Sequence, residues 1–275
     1  MNEYEVVICS HPKDFTKLLK VVRFAAFNLV PSPKRFNIIV PDFAYSDVYK
    51  QRKNMEDLSL GIPIKIYSDS QILSQDRDRI RYRKNWIFQQ FLTLFNDVTD
   101  TDYYLDMKSD AIILRPLRVF DDHGNPQLFV SRSEGYKEYY WNFSKKMIGL
   151  DQENKEYSFI CDIMMFNKDK INEMIKFADL ESSDEFIEKS IDIIDEETRT
   201  WLSEYELYGN YVYKEHADLY TIKKLNRLIL GVENKQWDNH NIFHAIGRST
   251  FEEYDMVALN TWTTERSEPS IEEEE

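Results

Sequence analysis

Glycine is scarce in this sequence, with seven in 275 residues, and none falls in a G-x-G-x-x-G or G-x-x-x-x-G-K-[ST] array. Neither glycine-lined phosphate cradle is therefore present, and any bound diphosphate must be held by something other than a glycine loop. G-x-S-x-G and H-E-x-x-H are missing as well, which excludes nucleophile-elbow hydrolases and zincin-type proteases. Cysteine is reduced to Cys9 and Cys161, each inside a strand-like apolar run, EVVICS and YSFICDIMMF. Such contexts predict reduced core thiols rather than a disulfide or a zinc pair. No apolar run is long enough to span a bilayer, and the opening MNEYEVVICSH lacks the basic-then-apolar pattern of a leader; a cytoplasmic location is the expectation. Basic residues are outnumbered, 35 Lys and Arg against 49 Asp and Glu, for a net charge of −14. A protein whose main partner is nucleic acid needs the opposite balance.

What is present suffices for a core: 42% hydrophobic residues, including 14% aromatics. YEVVICS, RFNIIVP and IPIKIYSD read as strands, KDFTKLLKVVRFAAFNLV has helical spacing, and a long helical pattern runs from about Asp78 to Phe95. This alternation predicts an α/β fold, a mostly parallel central sheet flanked by helices. PQLFVSR and YSFICDIMMFNK supply later strands. Lys168–Ala178, Ser183–Ile194 and Thr198–Tyr208 make the C-terminal part mainly helical. Asp and Glu concentrate between Glu181 and Glu206, whereas RDRIRYRK, Arg77 to Lys84, is a basic island able to receive an anion.

The stretch YYLDMKSDAIILRP places Asp106, Lys108 and Asp110 where an apolar strand should continue. Strand ends of α/β sheets are where ligands bind. A departing diphosphate gains charge there that a carboxylate-held metal, or a Lys or Arg, must offset. An Asp-x-Asp pattern fits in two registers, with Lys108 replacing either the second Asp or the first; a solvated strand end is the plain alternative. At period two an extended chain projects all three side chains to one side. In YRKNWIFQQFLTLF, Arg83, Trp86 and Gln90 share a helical face, as do Trp86, Gln89 and Gln90. Amides beside an indole and a guanidinium suit sugar hydroxyls, a base edge or a phosphate. Ser10 and His11 sit in the first strand-to-helix loop and are assigned to a ligand; Pro12 and Asp14 suit helix capping. In TWLSEYELYGNYV, Trp201, Tyr205, Tyr208 and Val212 form a helical core stripe bordered by Glu204. Glu206 is turned roughly 200° from that stripe at about 100° per residue. Trp237, His240 and His244 in QWDNHNIFHAIGR are too few for a metal site and remain diphosphate or acceptor contacts.

NWIFQQFLTL, DYYLDMKSDAIILRPL, YSFICDIMMFN and WLSEYELYGNYV, in this order from Val6 to about Val212, resemble a glycosyltransferase-like family of bacterial polysaccharide clusters and algal giant viruses, known only as a domain of unknown function. The resemblance implies a GT-A type glycosyltransferase with a nucleoside-diphosphate sugar, UDP-linked first, as donor and a glycan or glycoconjugate as acceptor. No repeat or long linker is visible, so one domain, residues 1–262, is expected, which the resemblance divides into a nucleotide-sugar half (1–120) and an acceptor half (121–262); TERSEPSIEEEE has too little apolar content to pack and predicts an acidic disordered tail at 263–275. Trp86, Gln89 and Gln90 would lie beside the donor, Lys108, Ser109 and Asp110 would face its diphosphate, and Asp162, Glu204 and Glu206 would approach the acceptor. Asp106 and Asp110 are the residues to hold Mn²⁺ or Mg²⁺, although Lys108 would repel that cation and could itself neutralise phosphate. Direct displacement needs a carboxylate to take the acceptor's proton, and Asp162 and Glu204 are the candidates. The imperfect motif also fits a degenerate member that binds a glycan or nucleotide without turnover.

Overall fold

A computed structural model describes residues 2–75, 77–132, 138–151, 156–233, 237–248 and 252–262. The tail expected at 263–275 lies outside the described residues. In chain order the first half contains β1 (Tyr4–Cys9), α1 (Phe15–Asn28), β2 (Leu29–Val30), β3 (Phe36–Val40), α2 (Asp42–Lys50), α3 (Arg52–Leu58), β4 (Ile64–Ser68), α4 (Lys84–Leu94), β5 (Tyr103–Met107), β6 (Ala111–Ile113) and β7 (Leu117–Arg118). The second half follows with β8 (Gln127–Arg132), α5 (Glu138–Ile148), β9 (Tyr157–Ser158), β10 (Ile163–Asn167), α6 (Lys168–Phe177), α7 (Ser183–Ile193), α8 (Glu204–Glu215), β11 (Thr221–Lys224), β12 (Arg227–Glu233), α9 (Asn239–Arg248) and β13 (Met256–Trp262).

The central sheet has the order β10-β5-β1-β3-β4, parallel except for β10, which runs antiparallel to β5. β1 and β3 are buried on both faces and read as continuous apolar runs for that reason, whereas the edge strand β4 alternates, with Lys65 exposed. Alternation along each strand feeds two cores. Val6, Ile8, Leu105 and Met107 join one core with α1 and α9, while Val7, Cys9 and Tyr104 join the other with α4 to α8. From β1 the chain adds β3 and β4 on one side, then crosses back to lay β5 on the other. The carboxyl ends of β1 and β5 thus flank the topological switch point, where chains in such sheets diverge and leave a crevice.

Three elements differ from the local pattern. The expected helix from Asp78 to Phe95 is broken: Arg83 adopts φ 45°, a left-handed conformation, and α4 starts at Lys84. YSFICDIMMFNK is two strands, because Asp162 also lies at positive φ, 66°, and turns the chain between β9 and β10. The C-terminal part carries β11, β12 and β13 between and after its helices; β13 pairs with both β12 and the distant β6.

Candidate active site

The residues after β5 leave the strand in two directions. Asp106 follows Tyr104 into the second core. It is 1% exposed and accepts hydrogen bonds from the Tyr205 hydroxyl and, at 3.4 Å, from Thr93 Oγ1. Lys108, two residues on, faces the same way; its Nζ lies 2.6 Å from Glu204 Oε1, 3.9 Å from Asp106 Oδ2 and 4.6 Å above the Tyr205 ring. Asp110 does not join them. The strand ends at Met107, Ala111 N–H donates to Lys108 O at 3.1 Å, and this turn sends Asp110 toward α1, with Oδ2 3.8 Å from Lys17 Nζ. Period-two projection holds for Asp106 and Lys108 and fails at Asp110, because the extended conformation stops first. Ser109, between them, is buried.

Helix α8 brings Glu204 and Glu206, the carboxylates expected near an acceptor, to the same end of the sheet. Ser203 caps the helix by accepting from Glu206 N–H at 3.3 Å, and Glu204 and Glu206 sit in the first turn, where the helix dipole favours negative charge. Glu204 points at Lys108. Glu206 points away: Oε1 accepts from Ser158 Oγ at 2.6 Å and Phe159 N–H at 3.2 Å, and Oε2 accepts from Asn210 Nδ2 at 3.1 Å. At 1% exposure this carboxylate fastens α8 to β9 and is not grouped with Glu204. Trp201 precedes the helix instead of heading its stripe. Its ring is stacked between Tyr82, at 5.5 Å, and Tyr139, at 4.4 Å.

Helix α4 supplies a scaffold at this end. Gln90, 1% exposed, accepts from Glu204 N–H through Oε1 at 3.0 Å, so its carbonyl end is spent on the α8 terminus. Gln89 donates to Cys9 O at 3.4 Å, and Arg83 lies 4.2 Å over the Trp86 ring. In the loop after β1, Ser10 is buried, and exposed His11 accepts from Lys13 N–H at 3.3 Å through Nδ1, a capping contact. Its ring meets Phe43 edge-on at 6.0 Å. A cleft of about 380 Å³ opens alongside, at the carboxyl ends of β3 and β4, lined by Asp42, Phe43, Ser70, Arg77 and Phe88 among others. The basic island is largely compensated: Arg77 pairs with Asp69, Arg79 with Glu188 and Lys84 with Asp78. Trp237 is buried and donates to Asn260 O at 3.0 Å, while His240 and His244 are exposed on α9.

Two groups at the switch point had no assignment from sequence. Lys17, 2% exposed, lies 2.6 Å from Asp14 and donates to Leu259 O at 3.1 Å, besides facing Asp110. A lysine amid the buried stripe of α1 was the available signal. Arg227, at the start of β12, pairs with Asp162 Oδ2 at 2.7 Å, and Asp162 O accepts from Lys108 N–H at 2.9 Å. Nothing local in LNRLILG marks that arginine.

Burial pushes the Asp106 carboxyl up to about 6, with Lys108 and Tyr205 pulling it back. Burial also pushes Asp110 up to about 6 against the pull of Lys17, helped by Asp162 and Asp14. For Lys108, burial opposes the charge, but Glu204 and Asp106 outweigh it and hold the ammonium above its ordinary range. The residues do not fit a divalent ion. Asp106 and Asp110 face different sides, each beside an ammonium, and among the described residues no three His, Cys, Asp or Glu side chains converge on a cation site. Because both carboxyls are harder to ionise folded than unfolded, their stabilising shares are complete below about pH 4 and are lost as pH rises through about 6. Denaturant titrations across that window should show Asp106→Asn flattening the fall. A slope equal to wild type would contradict the assignment.

The chain matches the family described as "Family of unknown function (DUF6492)" over residues 18–259 and belongs to it. No curated protein matches it. Solved structures similar to it include an active-site mutant of LgtC, 13% identical with a TM-score of 0.49 over 93% of this chain and 86% of that one. The galactosyltransferase LgtC in complex with donor and acceptor sugar analogs is 14% identical, with a TM-score of 0.48 and the same coverage, 93% and 86%. Mouse xyloside xylosyltransferase 1 in its apo form is 10% identical, with a TM-score of 0.45 over 94% of this chain and 98% of that one.

Proposed function

We propose that this protein is a GT-A type glycosyltransferase moving a sugar from a nucleoside diphosphate to a glycan acceptor. The observation that carries the reading is the convergence, at the β1/β5 switch point, of the Ser10–His11 loop, the Lys108–Asp110 turn, Asp162 and the Glu204 end of α8. In this reading the diphosphate lies against the turn after β5, with Ser109 and Lys108 facing it. The base and ribose extend past His11 toward the cleft lined by Asp42, Arg77 and Phe88. Trp86, Gln89 and Arg83 border the donor from α4, while Gln90 acts through Glu204 by holding its amide. Glu204 takes the proton of the acceptor hydroxyl as that oxygen attacks the anomeric carbon, and Asp162 is its rival for the role. Glu206 has a scaffold role. No helix of the described residues is long and apolar enough to cross a membrane.

One observation favours a second reading, binding without turnover: the proposed base is already engaged by Lys108 at 2.6 Å. Incubating the purified chain with a panel of sugar nucleotides, with and without glycan acceptors, separates the two. Release of a nucleoside diphosphate stimulated by acceptor is the expected result. Tight binding with no release would establish the second reading, and conversion of the sugar nucleotide with added pyrophosphate into a nucleoside triphosphate and a sugar 1-phosphate would mean nucleotidyl transfer instead.

A further inference from the structure

We propose that Arg227 and Lys108 together form the resident counter-charge to the donor diphosphate, in the place where the strand-end motif would otherwise put a divalent cation. The inference rests on the donor reading above and adds Arg227, which no motif assigns. Both cations are fixed to the same short turn. The Arg227 side chain is 8% exposed and its guanidinium is held 2.7 Å from Asp162 Oδ2. Asp162 is a non-glycine residue at φ 66°, and its carbonyl accepts the Lys108 N–H at 2.9 Å. One residue in a conformation that β-carbons disfavour thus carries a cation on its side chain and the lysine's backbone on its carbonyl.

The Lys108 side chain is 26% exposed, whereas its partners Asp106 and Glu204 are buried at 1% and 5% by side chain, so of these three it is the most open to an incoming diphosphate. An ammonium has three N–H donors and a guanidinium five, enough to serve a carboxylate and a phosphate oxygen at once. Lys17 adds a third positive charge on the other side of the turn, 3.8 Å from Asp110. A divalent ion entering here would be repelled by each of these three cations. The carboxylates are not left over: they hold the cations in position before the ligand arrives, so that binding does not require ordering two long side chains.

Calorimetric titration of UDP and of GDP into the full chain, in EDTA and in excess Mn²⁺, tests this. At least one nucleoside diphosphate should bind in EDTA with an affinity close to that in Mn²⁺. Arg227→Gln should weaken it roughly 10–100-fold, the worth of a charged hydrogen bond, and Arg227→Lys should recover part of the loss. If Arg227→Gln fails to fold, Lys108→Gln gives the same reading from a partly exposed position. Binding that vanishes in EDTA and returns with Mn²⁺, or variants that bind as wild type, would overturn the inference and leave the donor reading standing. Wild type that binds neither nucleotide under either condition removes the donor reading itself.

Discussion

Glu204→Gln is expected to lower transfer turnover by about 10²–10⁴-fold, the range that a positioned general base contributes. The exchange is nearly isosteric; an amide at the first turn of α8 forfeits the dipole contribution, about 0.3–1 kcal/mol, and the charge-assisted bond to Lys108, about 1.5–3 kcal/mol. Gln90 still accepts the backbone N–H of residue 204, so the helix terminus should stay in place. Donor affinity should hold, because the glutamine carbonyl can still accept from Lys108, whose Nζ lies 2.6 Å from Glu204 Oε1, and Asp106 stays 3.9 Å away. This pairing of slower turnover with undiminished donor affinity distinguishes loss of a base from loss of folding. Asp162→Asn is the comparison: full turnover in both variants would remove both carboxylates from the chemistry.

Gly209→Ala should destabilise the protein although alanine is the better helix former by up to about 1 kcal/mol. Gly209 lies inside α8, and a β-carbon there would come within 2.7 Å of Phe159 Cβ and closer still to its ring. Phe159 is fully buried beside the Glu206 anchor and has no solvent to move into. Overpacking of this kind costs about 1–3 kcal/mol or more, and each kcal/mol lowers Tm by roughly 2–4 °C in a protein of this size. Gly247 on α9 is the control, with nothing within 4 Å of an added β-carbon. Its alanine variant should melt at or slightly above wild type. A Gly209→Ala protein that melts as high would show that α8 and β9 do not approach this closely.

The sequence made β1 and β3 readable because they are buried on both faces, so that each is a short apolar run between polar boundaries, and β4 because its apolar residues alternate with an exposed Lys65. The same logic found α1, α6 and α7, whose buried positions recur at helical spacing. Breaks without proline or glycine stayed hidden: Arg83 and Asp162 take left-handed conformations that surrounding contacts impose. Conversely, Gly209 reads as a helix stop but allows close approach within an uninterrupted helix. β11 and β12 were missed because their alternation is weak, and β13 because its partner β6 lies far away in sequence. The residues named for the site were mostly gathered at one end of the sheet, yet their pairings were not legible. Lys108 with Glu204, Arg227 with Asp162 and Lys17 with Asp110 each join elements whose separation no local periodicity encodes.

The placement of β10 beside β5 matters while the chain is being synthesised. β5 is complete at Met107, but its second neighbour, Ile163–Asn167, emerges only after about 60 further residues, on the order of 3–12 s at usual translation rates. A first half that folds as it emerges would, throughout that interval, hold β5-β1-β3-β4 with the β5 edge uncovered and with Asp106 still lacking Tyr205. A ribosome-bound intermediate of this kind would be expected to recruit chaperones at Tyr103–Met107, and fragments ending before Asn167 to aggregate through that strand.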